Sequence, residues 1–138
     1  MSKVFEDEFM DLQTGLISLC LELTGGAVDK VFAYCSNEKK STAFNAFFEV
    51  DGTIKTTNQL NLPRELIRQF LKIGTGDVMK LDAIGEKHTR PVPTELKLYY
   101  DVRTRKFRSE YKYEEVCSAR TGKAAGDVFD EWLAEMRG

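Results

Sequence analysis

Apolar and polar positions change period several times along the chain, and each change marks an element. Across residues 4–23, Phe5, Phe9, Leu12, Leu16, Leu19, Cys20 and Leu23 recur at the spacing of one helix face. Ser2 stands where an N-cap belongs. Glu6, Asp7 and Glu8 fall where acids favour the positive end of the helix dipole, and Gly25-Gly26 supplies a stop. The period then drops to two. Residues 29–35 set Val31, Ala33 and Cys35 against Phe32 and Tyr34, and residues 43–50 put Phe44, Ala46, Phe48 and Val50 on one face. Between them, residues 36–42 read as a polar loop containing Lys39 and Lys40.

Asp51-Gly52 is a two-residue hairpin signal, followed by a third strand over residues 53–57. Such a turn opposes Val50 with Thr53 and Phe48 with Lys55, so Ile54 falls on the Phe47 face. Either a bulge shifts the register or both sheet faces are covered. A second helix starts near Pro63, buries Leu66, Ile67, Phe70 and Leu71, and stops at Gly74. Val78, Leu81 and Ile84 fit a short further helix. Residues 85–93 read as an exposed loop that Pro91 and Pro93 keep extended.

The cleanest alternation lies in residues 94–116, which read as the hairpin organising the rest. Leu96, Leu98, Tyr100 and Val102 oppose Lys97, Tyr99, Asp101 and Arg103; beyond the turn, Phe107, Ser109, Tyr111 and Tyr113 oppose Arg108, Glu110 and Lys112. Residues 114–120 read as a turn or short helix. A last helix over residues 123–136 presents Ala125, Val128, Phe129, Trp132, Leu133 and Met136 on one face. The sum is one α+β domain spanning residues 1–138, in the order α-β-β-β-α-β-β-α, with about five antiparallel strands and helices packed against them.

Bulk properties narrow the class. With 42% hydrophobic and 30% charged residues and a net charge of −2, the chain suits a folded globular domain, not a disordered one or one that wraps nucleic acid. It has no apolar run of transmembrane length. The acidic, amphipathic start lacks the basic and apolar regions of a signal peptide, which points to the cytoplasm. Cys20, Cys35 and Cys117 are too far apart for a CxxC motif and read as reduced thiols, Cys20 and Cys35 buried.

Catalytic chemistry is not legible. His88 is the only histidine and lacks a second ligand residue nearby, so no zinc site forms. Gly74-Thr75-Gly76 lacks the lysine and hydroxyl of a phosphate loop. No nucleophile elbow is present. These absences lead to the expectation of a non-enzyme without cofactor or metal. The hairpin holds Arg103, Arg105, Lys106, Arg108 and Lys112 among aromatics, but three acids between Glu95 and Lys112 dilute them, so direct nucleic-acid binding is not expected. The acidic helices are more suggestive. Glu6, Asp7, Glu8 and Asp11 on the first and Asp127, Asp130 and Glu131 on the last are candidate contacts for a basic partner. After them, the exposed aromatics Tyr99 and Phe47 or the loop around His88 are the next candidates.

Several strings resemble the YezG-like family of bacterial immunity proteins: Val31 to Tyr34; Phe47-Phe48-Glu49-Val50-Asp51-Gly52; Leu96 to Asp101 followed by Lys106-Phe107; Tyr111-Lys112-Tyr113-Glu114-Glu115; and Trp132 in a late helix. Two features depart from the family pattern: the near-neutral charge, and Gly74 and Gly76 within the middle helix. The resemblance implies a cytoplasmic antitoxin, monomer or weak homodimer, that neutralises a cognate toxin domain, a nuclease, without touching nucleic acid or membrane. The alternative is a small secretion chaperone binding an effector, since such chaperones share the helix, three strands, helix, two strands, helix order.

Overall fold

The computed structural model describes residues 4–38, 41–117 and 121–138. Along them run α1 (Phe5–Thr24), β1 (Lys30–Glu38), β2 (Ser41–Val50), β3 (Thr53–Thr56), a 3-10 turn (Thr57–Leu60), α2 (Arg64–His88), β4 (Glu95–Asp101), β5 (Lys106–Lys112) and α3 (Ala125–Arg137). The fold is α+β in the expected order, and the strands form one antiparallel sheet, β3-β2-β1-β4-β5.

The central strand is β1, not the 94–116 hairpin, whose second strand β5 is an edge. Val31, Ala33 and Cys35 are buried with α1 and α2, and Phe32 and Tyr34 with α3. A strand covered on both faces has no polar alternation to display. The hairpin alternates cleanly because its edge half stays wet, and so it looks the more prominent in sequence.

The Asp51-Gly52 turn leaves the register unshifted: Val50 pairs with Thr53, Glu49 with Ile54 and Phe48 with Lys55. Asp51 and Gly52 both have positive φ (51° and 79°), as the tight turn suited to strand twist requires. Ile54 therefore joins the Phe47 face, and both faces of the sheet are covered, by α1 and α2 on one side and α3 on the other.

Three expectations change. Residues 36–38 and 41–42 are strand, not polar loop, since β1 runs to Glu38 and β2 starts at Ser41. Their polar groups are tied elsewhere: Asn37 Nδ2 donates to Asp82 Oδ1 of α2 (3.1 Å), and Glu38 Oε2 accepts the Cys117 N–H (2.8 Å). Lys39 and Lys40, the Ser2 cap and residues 118–120 lie outside the described residues; residues 114–117 are neither helix nor strand.

Second, α2 does not stop at Gly74. It runs on to His88, 25 residues in all, and so replaces the short further helix and the start of the 85–93 loop. Each interior glycine costs a helix about 1 kcal/mol relative to alanine. Burial of Phe70, Val78 and Leu81 on a continuous stripe outweighs that cost. Gly74 is there for space: a Cβ on it would lie 2.1 Å from the Phe44 ring. Third, Leu66 and Met136 are 42% and 37% exposed, each near an end of its helix where the buried stripe runs off the sheet.

Candidate partner-binding surfaces

The acids of α1 are not a free acidic face. The end of α2 reaches them, because the 25-residue helix lies beside α1 and delivers Lys87, His88 and Arg90 to its first turns. Lys87 Nζ donates to Glu8 Oε1 (2.9 Å), His88 Nε2 contacts Glu8 Oε2, and Arg90 reaches Glu6 Oε1 (3.2 Å). The Arg90 guanidinium also sits 4.6 Å over the Phe5 ring, with His88 edge-on to the same ring. Lys87 and then His88 hold the Glu8 carboxyl below its ordinary range; backbone N–H and then Arg90 do the same for Glu6. The loop histidine of the sequence reading is thus a part-buried residue in the last turn of α2, joined to α1. Asp7 and Asp11 remain exposed.

The acids of α3 are arranged differently. Asp127 Oδ2 accepts the Ala124 N–H (2.9 Å) and so caps its own helix. Glu131 pairs with Lys123 (2.8 Å) and raises the lysine's pKa. Among the described residues no cation lies within ion-pair distance of Asp130 or Glu135. Asp127, Asp130, Glu131 and Glu135 fall within one side of the helix, so they form a continuous stripe turned away from the sheet. The two acidic groups singled out from sequence therefore lie on opposite sides of the sheet, and no single flat interface spans both.

Beneath α3 the packing is aromatic. Trp132, 2% exposed, meets Phe47 at 4.9 Å, Tyr99 at 5.5 Å, Phe32 at 6.1 Å and Tyr34 at 6.2 Å between ring centres, mostly edge to face. Phe47 is fully buried here and is no surface candidate; Tyr99 is half-buried. Past the last turn of α3 the sheet opens into a cleft of about 560 Å³, lined by Phe32, Ile54, Tyr99 and Met136 with Lys30, Glu49 and Arg108 around them. Arg108 lies 3.8 Å over the Tyr99 ring and pairs with Glu110 (2.7 Å). Arg103 pairs with Asp29 and Lys112 approaches Glu95, so the basic hairpin is internally neutralised at these positions.

Two features carried no sequence signal. Glu95, 2% exposed, accepts a hydrogen bond from Tyr34 Oη (2.9 Å), and burial raises the Tyr34 pKa further from neutrality. Tyr34 and Glu95 are 61 positions apart, and only strand pairing joins them. The cleft was equally illegible, since it exists only because α3 is shorter than the sheet face it covers. Cys20 and Cys35 are buried and free, their thiols pushed up by desolvation; Cys117 is half-buried.

Among the described residues, no three His, Cys, Asp or Glu side chains are placed to hold a metal ion, and no helix is long and apolar enough to cross a membrane. No family model matches the chain, and no curated protein matches it.

Proposed function

We propose that this chain is an immunity protein, a non-catalytic antitoxin of the cytoplasm that binds a cognate toxin domain and blocks its active site or substrate path. The observation that carries the reading is the acidic stripe of α3, exposed along its length and, among the described residues, lacking partner cations at Asp130 and Glu135. A nuclease presents cations where phosphates enter, so an inhibitor gains from carboxylates held on a rigid element facing them. The resemblance of the strand and turn strings to those of immunity proteins supports the same reading. α3 is the preferred docking helix over α1, because Glu6 and Glu8 are already engaged by Arg90, Lys87 and His88.

The alternative, a secretion chaperone, draws on the α-β-β-β-α-β-β-α order. Co-expression separates the two. A toxin domain encoded beside this chain should stop growth alone, lose its toxicity when the chain is present, and co-purify with it as a complex. Retained toxicity with no complex, or capture of a neighbouring effector that is harmless by itself, would remove the immunity reading.

A further inference from the structure

Strand β5 ends the sheet, and its outer edge has no strand partner among the described residues. The opposite edge is β3, a four-residue strand that runs directly into the 3-10 turn. A seven-residue open edge is a template for another strand. We propose that β5 pairs with β5 of a second copy of this chain, antiparallel and two-fold symmetric about Ser109, joining two sheets into one of ten strands.

The sequence of β5 is self-complementary in that register. With Ser109 opposite its own copy, Arg108 faces Glu110 and Phe107 faces Tyr111, each pair occurring twice. Residues of like parity oppose one another, so both α1–α2 layers fall on one side and both α3 helices on the other. On the α3 side the existing β4–β5 register extends the pattern. Lys97 lies opposite Glu110 and Tyr99 opposite Arg108. Adding the second copy builds rows running Lys97, Glu110, Arg108, Tyr99 across four strands, alternating in charge and ending on a ring. Arg108 and Glu110 are now 61% and 51% exposed and, among the described residues, bond to each other and to Tyr99, so both are available for exchange.

The register also brings Lys106 opposite Lys112. Each of these lysines faces a carboxylate on its own β4, Asp101 for Lys106 and Glu95 for Lys112, which offsets the repulsion. On the α1 side, Tyr111 is 37% exposed and Phe107 half-buried, and their pairing would cover both. The flank of α1 turned away from α2 carries Met10 and Thr14, with Glu6 and Asp7 beside them in the first turns, whereas Glu8 and Asp11 line the groove against α2.

Sedimentation of the full chain across a wide concentration range tests the pairing, with a charge-swap cycle. Arg108→Glu and Glu110→Arg should each weaken the dimer on the order of tenfold or more, and the double swap should restore it, because it re-creates both cross-strand pairs. Ser109→Cys should give a disulfide-linked dimer under mild oxidation that the parent, with Cys117, does not give. A chain monomeric at every concentration would overturn the proposal. So would a dimer indifferent to both single reversals, or one that Ser109→Cys fails to trap. Toxin neutralisation does not enter any of these readouts, so the dimer and the immunity reading can fail separately.

Discussion

The two faces of the sheet are built for different ends. On one, the 20 residues of α1 and 25 of α2 close over the strands in a continuous core of Leu, Ile, Val and Phe, with one buried thiol from α1 and one from β1. On the other, the 13 residues of α3 are held by one aromatic cluster around Trp132, and the remaining sheet is left open with charges along it. The first face has the coverage that stability requires. The second keeps its polar groups and an exposed acidic helix within reach of a partner. Local stability should follow the same division, since an element with few buried contacts opens at lower free energy than the core.

The largest expected effects test that division. Phe48→Ala and Trp132→Ala each remove a ring that is almost wholly buried and should each cost about 3–5 kcal/mol. Their distribution should differ. Hydrogen exchange should show Phe48→Ala weakening α1, α2 and the central strands together, and Trp132→Ala exposing mainly α3. Equal loss everywhere in both variants would mean that the two faces are one cooperative unit.

A pair within α2 follows. Gly74→Ala drives a methyl into the Phe44 ring and should cost about 1–3 kcal/mol, against the usual helix benefit of alanine. Gly76→Ala meets nothing and should stabilise by about 1 kcal/mol. Opposite signs in urea midpoints are the expected outcome; two gains would show that Phe44 yields freely. On the α3 side, Tyr34→Phe leaves the Glu95 carboxylate buried without its donor and should cost about 1–3 kcal/mol. A neutral result would show that water replaces the hydroxyl.

The smallest effect is electrostatic. Glu8 and Glu6 are held below their ordinary value of 4.5 by the end of α2 and, for Glu6, by backbone N–H first. Carboxylates lowered on folding add stability above that value and lose it as pH falls through the folded pKa. Denaturation of the parent should therefore steepen below about pH 4.5, and Glu6→Gln with Glu8→Gln should flatten that limb while leaving the limb above pH 6 parallel. Identical acid limbs would show that these contacts do not persist in solution.

Which parts were legible in the sequence follows from the same two faces. Element type and order could be read wherever one side of an element is wet, as in α1, α3 and the β4–β5 hairpin. The centrality of β1 could not, because burial on both sides erases alternation. Gly74 read as a stop because its reason, the Phe44 ring, lies 30 positions away in sequence. The acids of α1 and α3 looked equivalent as patterns. Only the length of α2, which brings Lys87, His88 and Arg90 onto Glu8 and Glu6, separates them.

That separation is the most direct test of the account. Asp130→Lys with Glu135→Lys reverses the α3 stripe, and Asp7→Lys with Asp11→Lys reverses the exposed acids of α1. Association of each variant with the cognate toxin domain, measured at low and high salt with the fold checked by circular dichroism, compares the two sides. The α3 variant should associate on the order of tenfold more slowly than the parent at low salt, with the gap narrowing as salt rises, and the α1 variant should stay within about twofold. Equal slowing by both variants, or slowing by the α1 variant alone, would contradict α3 as the docking face.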